Sequence, residues 1–161
     1  MTKQLNNPDS KVVLPCLLVP IQSKNLILPN VNIAEVISMI EPVPVEHSPS
    51  WFLGFFNWRG EQIPLISFEK ISKMMDYKNA RTTRIAVINS TGLVEGSDFF
   101  ALVIQGIPRM VRISVDDVEQ SGPGSTSTEI MEVKTVAGNA VIPDLKYLES
   151  RIREFLNRDQ S

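Results

Sequence analysis

Short apolar runs rich in β-branched residues recur along the chain and predict a mainly β protein. The first run contains Pro15 and Pro20, which suit an edge strand or one interrupted by a bulge. Gly, Asn, Asp and Ser cluster between the runs and predict turns, including Arg59-Gly60-Glu61 and Ala137-Gly138. The predicted strands are residues 12–21, 26–28, two within 52–66, 84–89, 99–104, 109–115, 130–136 and 139–142.

Three segments have helical spacing of apolar residues. Asn32 and Glu35 resemble a capping box, with Ile33, Val36, Ile37 and Ile40 behind it and Pro42 and Pro44 as stops. Ser67 predicts the cap of a short helix, with Phe68, Ile71 and Met74 or Met75 facing inward. Asp144 predicts the cap of a C-terminal amphipathic helix with an apolar stripe of Leu145, Leu148, Ile152, Phe155 and Leu156.

The organisation is one domain over residues 12–157. Residues 1–11 are polar and predict a flexible tail, and residues 158–161 predict a second one. Residues 120–128 predict a flexible surface loop. The sequence around Gly60 to Pro64 resembles that around Gly138 to Pro143, which hints at two similar lobes.

Composition excludes several classes of function. The 161 residues carry 16 basic and 18 acidic side chains, a net charge of -2 that argues against a nucleic-acid-binding domain. Cys16 and His47 are the only residues of their types, so we expect no disulfide, metal site, cofactor or catalytic site. No run approaches the roughly 18 apolar residues of a membrane span, and residues 1–10 lack the apolar centre that a signal peptide has. We therefore expect a cytoplasmic, non-enzymatic protein without membrane insertion.

Aromatic side chains concentrate between Trp51 and Trp58, where five of the eleven in the chain lie. In a regular strand, Phe52, Phe56 and Trp58 share one face, and Leu53, Phe55, Asn57 and Arg59 share the other. Both faces then carry large side chains. Either the strand lies between two packed layers, or one face contacts another protein.

An ordered set of motifs resembles the CheW-like family, the adaptor domain of bacterial chemosensory systems. The family's central signature is similar to two neighbouring segments of this chain, Gly54-Phe55-Phe56-Asn57-Trp58-Arg59-Gly60 and Ile63-Pro64-Leu65-Ile66-Ser67-Phe68. The opening resembles Leu28-Pro29 and Ile33-Ala34-Glu35-Val36, and a later strand resembles Thr83 to Ile88. Trp58, Ser67 and Gln105 depart from the family pattern, which indicates a divergent or accessory member, of the kind found beside pilus-controlling systems.

The resemblance implies two small five-stranded SH3-like β-barrel lobes that share a hydrophobic core, with short helices and a C-terminal helix. It also implies a non-catalytic adaptor that couples the cytoplasmic tip of a methyl-accepting chemoreceptor to the regulatory domain of a CheA-type histidine kinase. An accessory scaffold that binds receptors without the kinase is the alternative. The expected partner-binding residues are Asn57, Trp58, Arg59 and Gly60, with recruitment to membrane-associated receptor arrays. Arg59 has two readings, an interface residue or a purely structural tie between strands.

Overall fold

The computed structural model describes residues 12–73, 82–91, 98–114, 116, 118–124 and 127–158. The predicted tail over 1–11, Met74, Met75 and residues 159–161 lie outside the described residues. The described part contains the strands β1 Val13–Pro20, β2 Asn25–Pro29, β3 Ile33–Ser38, β4 Phe52–Trp58, β5 Glu61–Ile66, β6 Arg84–Asn89, β7 Phe99–Ile104, β8 Arg109–Ser114, β9 Glu119–Pro123, β10 Glu129–Thr135 and β11 Gly138–Pro143, with helices α1 Phe68–Ile71 and α2 Leu145–Arg158.

The strands form two sheets, and the chain passes from one sheet to the other twice. The six-stranded sheet has the order β8-β1-β2-β11-β10-β9, and the five-stranded sheet has the order β3-β6-β7-β5-β4. The chain crosses to the five-stranded sheet after β2 and returns after β7. The five-stranded sheet is therefore formed by one continuous stretch of the chain, β3 to β7, which is inserted between β2 and β8 of the six-stranded sheet.

Three clusters of buried side chains form the core. The central cluster lies between the sheets and includes Leu26, Phe68, Leu102 and Leu148. Each sheet also curls around its own cluster, containing Ile63 in the five-stranded lobe and residues such as Leu18, Ile27 and Val133 in the six-stranded lobe. Burying this much apolar surface is the main stabilising contribution to the fold. The predicted fold class, two β lobes sharing a hydrophobic core, is confirmed, with six strands rather than five in one lobe.

The predicted helix that begins near Asn32 is wrong. Residues 30–32 form one turn of 3₁₀-helix, and Ile33–Ser38 forms β3, paired antiparallel with β6. A register shift between Ile33 and Glu35 places Ile33 and Val36, three residues apart, on the same central cluster, while Ile37 contacts the cluster of the five-stranded lobe. The β-branched residues with helical spacing therefore belong to a strand that contains a bulge.

Two further sequence predictions are wrong. β1 is neither an edge strand nor interrupted by a bulge, because it lies between β8 and β2 and pairs with both in an unbroken register. Its prolines are accommodated because Pro15 lies beyond the part of β1 that pairs with β2, and Pro20 is the last residue of the strand. The predicted loop over 120–128 contains most of β9, which pairs with β10. Ser125 and Thr126 within it are outside the described residues.

Two of the three predicted helix caps, Ser67 and Asp144, are confirmed. Ser67 accepts a hydrogen bond from the Lys70 backbone N–H at 3.2 Å, and Asp144 accepts one from that of Tyr147 at 3.1 Å. The apolar stripe of α2 packs on the central cluster through Leu148 and Ile152. No helix in the described ranges has the length and apolar character needed to cross a membrane.

Candidate partner-binding hairpin

The hairpin of β4 and β5 turns at Arg59 and Gly60. Their φ angles of 50° and 80° are both positive, as in the tight turns that join twisted antiparallel strands. Asn57 fixes the turn, because its Oδ1 accepts a hydrogen bond from the Gly60 backbone N–H at 3.1 Å. Asn57 and Gly60 therefore determine the shape of the tip.

Trp58 anchors the hairpin tip in the lobe. Its side chain is buried, and its ring packs edge-on against Phe99 with centroids 4.8 Å apart. Its Nε1 donates a hydrogen bond of 2.7 Å to Oε2 of Glu35 on β3. Because the indole is buried and hydrogen-bonded, Trp58 supports the tip from within the lobe rather than offering a free aromatic surface.

Arg59 combines internal contacts with exposure. Its guanidinium lies 4.7 Å from the centroid of the Trp58 ring, and its Nη2 is 3.4 Å from Oε2 of Glu35. The side chain is nevertheless 69% exposed. An exposed ion pair of this kind contributes little to stability, about 0–1 kcal/mol. Arg59 is therefore positioned by the lobe while most of its surface stays accessible to a partner.

Glu35 joins the two outer strands of the five-stranded sheet. β3 and β4 are its opposite edges, and the carboxylate of Glu35 on β3 contacts Trp58 on β4 and Arg59 in the turn. The chain that follows β3 makes a backbone link to the same edge, where Val43 and Phe55 exchange hydrogen bonds of 2.8 and 3.0 Å. The sheet thus curls until its edges meet, and the hairpin tip lies at this seam.

Gly54 places the aromatic residues on both sides of β4. It has a φ of +136°, and the register shifts between Phe52 and Gly54. Phe52 consequently belongs to the central cluster, and Phe56 and Trp58 belong to that of the five-stranded lobe. The prediction that Phe52 shares a face with Phe56 and Trp58 is wrong, and β4 lies between two packed layers.

The other candidate residues are placed apart from the hairpin. Cys16 is buried in the six-stranded lobe, and burial raises the pKa of its thiol, which disfavours the reactive thiolate. The side chain of His47 is 90% exposed. Across the described ranges, no group of three or more His, Cys, Asp or Glu side chains could hold a metal ion.

The structure brings the four predicted residues to one tip, but with different roles. Arg59 is exposed, Trp58 is buried, and Asn57 and Gly60 shape the turn. Glu35, which contacts Trp58 and Arg59, is not among the predicted site residues, because its spacing from Asn32 predicts a helix cap instead. The sequence signal that points to Glu35 is its position in Ile33-Ala34-Glu35-Val36, which resembles the opening motif of the family.

Comparisons with known proteins agree with this architecture. The scaffolding protein TtCheW from Thermoanaerobacter tengcongensis has a similar fold, with a TM-score of 0.70 and 17% identity over 83% of this chain and 90% of that one. The chemotaxis protein CheW of Helicobacter pylori is 29% identical over 111 residues, which are 69% of this chain and 64% of that relative. The match thus spans less than two thirds of the relative's length. The family model described as CheW-like domain matches residues 15–149, so the chain belongs to the CheW-like family of chemosensory adaptors.

Proposed function

We propose that this protein is a non-catalytic adaptor that couples chemoreceptors to a CheA-type histidine kinase. Membership of the CheW-like family supports the general role. The proposed partners are the cytoplasmic tip of a methyl-accepting receptor and the regulatory domain of the kinase. The site of action is a cytoplasmic receptor array at the membrane.

The hairpin tip is the observation that carries this proposal. Arg59 presents an exposed, always-charged donor from a turn that Trp58 anchors and Glu35 orients. A charged side chain held by such contacts loses less freedom on binding than a fully mobile one. We therefore propose the tip of Asn57, Trp58, Arg59 and Gly60 as a partner-binding surface, with Arg59 making the contact and the others supporting it.

The second candidate is an accessory scaffold that binds receptors without engaging the kinase. The departures from the family pattern favour it, since Trp58 stands where the family usually has Leu and Ser67 where it usually has Asp. Such a protein would suit an alternative chemosensory system, for example one that controls type IV pili and twitching motility. The two candidates share one fold and differ only in their partners.

Binding measurements with separate partners distinguish these candidates. The purified chain is titrated with a receptor cytoplasmic fragment and, separately, with the regulatory domain of the kinase from the same organism. The coupling role requires saturable binding to both. Arg59→Glu should weaken at least one complex by about tenfold or more. The partner groups that bind the positive Arg59 side chain would repel a negative side chain at the same position.

Lys134→Glu is the matched control, since Lys134 is an exposed cation on β10 in the other lobe. We expect it to leave both complexes within about twofold of the native protein. Binding to the receptor alone would favour the accessory scaffold. Binding to neither partner would refute both candidates, and equal weakening by the two variants would remove the hairpin from the interface.

A further inference from the structure

A surface groove of about 350 Å³ lies between the chain that leads into β4 and the last two turns of α2. Trp51 and Phe155 supply its aromatic floor, and Arg151, Glu154 and Arg158 line its helical side. The volume is at the lower end of the roughly 300–1,000 Å³ of small-molecule sites. The groove is separate from the hairpin tip, none of whose four residues lines it.

The indole N–H of Trp51 is an unused hydrogen-bond donor in this groove. Trp51 is only 7% exposed, yet its Nε1 makes no hydrogen bond with the described residues. Among those residues, the only fully buried side-chain polar atom without a partner is Nε2 of Gln105, so the Trp51 N–H reaches the surface. Because the groove is the surface cavity that Trp51 lines, the N–H opens into it. A largely buried indole usually has an acceptor, as Trp58 has in Glu35.

Arg151 is a second donor, and aromatic rings hold it in place. Its guanidinium lies 5.5 Å from the centroid of the Trp51 ring and 6.0 Å from that of Tyr147. Its Nη1 also donates a hydrogen bond of 3.0 Å to the Tyr147 hydroxyl. The side chain is nevertheless 38% exposed. A guanidinium held in this way loses little freedom on binding, and its planar fork matches the geometry of a carboxylate.

Glu154 is the internal competitor for a negatively charged ligand. Its carboxylate oxygens lie 3.6 Å from Nε of Arg151 and 3.2 Å from Nη2 of Arg158. The Glu154 side chain is 55% exposed, so these ion pairs are weak and a ligand can displace them. On the opposite rim, Glu46 and His47 are 3.7 Å apart and each 90% exposed. With His47 neutral, two cations face two anions, so a ligand with one negative charge is favoured over one with two.

We propose that this groove binds a small aromatic monocarboxylate. The carboxylate accepts hydrogen bonds from the Trp51 N–H and from the guanidinium of Arg151, and Glu154 moves away from Arg151. The ring of the ligand packs against Phe155 and the accessible edge of Trp51. Two donors from different elements give the orientation, and the aromatic floor gives the apolar contact.

Titration with phenylacetate tests the proposed site. NMR of the isotopically labelled chain follows the indole N–H signal of Trp51. The chain has two tryptophans, so the signal of Trp58, whose N–H is already bonded to Glu35, is an internal reference. Phenylacetamide is the control that keeps the ring without the charge, and acetate is the control that keeps the charge without the ring.

We expect phenylacetate to shift the Trp51 signal saturably, with a Kd on the order of 1 mM, while the Trp58 signal stays in place. Each control compound should bind about fivefold or more weakly, because it lacks one of the two contacts. Arg151→Gln should weaken phenylacetate binding about fivefold or more. Glu154→Gln should strengthen it about twofold or more, because the competing carboxylate is removed. Arg153→Gln is the matched control, since Arg153 is exposed on α2 outside the groove.

Thermal melting of each variant checks that the fold is retained. The proposal is overturned if the Trp51 signal does not move saturably, or if either control compound binds as well as phenylacetate. Weaker binding by Glu154→Gln also overturns it, because a purely structural role of Glu154 gives that sign. Arg59→Glu should leave phenylacetate binding unchanged, which separates this groove from the proposed adaptor interface.

Discussion

Trp58 and Glu35 are joined by a hydrogen bond of 2.7 Å between the indole Nε1 and the carboxylate Oε2. The bond connects β4 to β3, the opposite edges of the five-stranded sheet. The same carboxylate oxygen lies 3.4 Å from the Arg59 guanidinium. One acidic side chain therefore links a buried aromatic anchor to an exposed cation, so the orientation of the hairpin tip depends on Glu35.

Substitution of Glu35 tests this link. Glu35→Ala leaves the buried Trp58 N–H without its acceptor, so we expect a loss of about 1–3 kcal/mol in the free energy of unfolding. Glu35→Gln keeps an amide oxygen and should lose less. Urea denaturation measures the change, with Glu41→Ala in the exposed connector as the control. A loss no larger than that of the control would show that the hydrogen bond does not stabilise the lobe.

The sequence predicted most strands because their runs were short and bounded by turn residues. β6 and β7 match their predicted bounds, and the turn at Arg59 and Gly60 lies inside the predicted one. β3 was mistaken for a helix because a bulge breaks the alternation between Ile33 and Val36. Single-sequence periodicity does not reveal such a bulge, since it depends on pairing with a distant strand.

The same reason explains the error in β4. The faces of Phe52 and Phe56 cannot be assigned from spacing once Gly54 adds a residue to the strand. The sequence identified the site as a cluster of aromatics around Arg59. It did not indicate that Trp58 would be buried while Arg59 remained exposed, because that depends on where β3 brings Glu35.

Gly54 provides a second stability test. Its φ is +136°, and a Cβ at this position would lie 2.2 Å from the Val43 carbonyl oxygen. Gly54→Ala should therefore lower the free energy of unfolding by roughly 2–6 kcal/mol through backbone strain and overpacking. Chemical denaturation measures this loss.

Gly60→Ala is the matched variant for Gly54→Ala. Its φ is also positive, at +80°, but a Cβ there would meet no atom within 4 Å. We expect Gly60→Ala to lower the free energy of unfolding by about 1–2 kcal/mol, through the left-handed backbone conformation alone. Equal losses at the two positions would contradict the close approach of Gly54 to Val43.

Glu69 makes stability depend on pH. Its side chain is buried in α1 and accepts a hydrogen bond of 3.0 Å from the backbone N–H of Gln22, which links the two lobes. Burial raises the pKa of Glu69 above its ordinary value near 4.5. The hydrogen bonds that Glu69 accepts lower the pKa, but their effect is smaller than that of burial. The protonated form therefore favours folding, and this contribution is lost as pH rises from about 4.5 through the raised pKa.

Glu69→Gln should remove this dependence while keeping an acceptor for Gln22. We expect the Tm of the variant, relative to the native protein, to increase between pH 4 and pH 8, because only the native side chain ionises in that interval. Differential scanning calorimetry at several pH values measures the difference. A constant difference over the whole range would contradict a raised pKa for Glu69.

Arg59→Ala separates stability from binding. The exposed ion pair and the contact with the Trp58 ring each contribute about 1 kcal/mol or less. We expect the free energy of unfolding to fall by no more than about 2 kcal/mol, with the circular dichroism spectrum unchanged. A loss above about 3 kcal/mol would indicate that Arg59 is chiefly a structural tie.

Kinase activity in a reconstituted complex tests the proposed coupling most directly. The kinase and receptor-containing vesicles are assayed for autophosphorylation with no adaptor, with the native chain and with Arg59→Glu, using Lys134→Glu as the control. We expect the native chain and the control to change the rate and make it respond to receptor ligand, whereas Arg59→Glu does not. If the native chain binds the vesicles but leaves the rate and its response to receptor ligand unchanged, the coupling role is contradicted and the accessory scaffold is favoured.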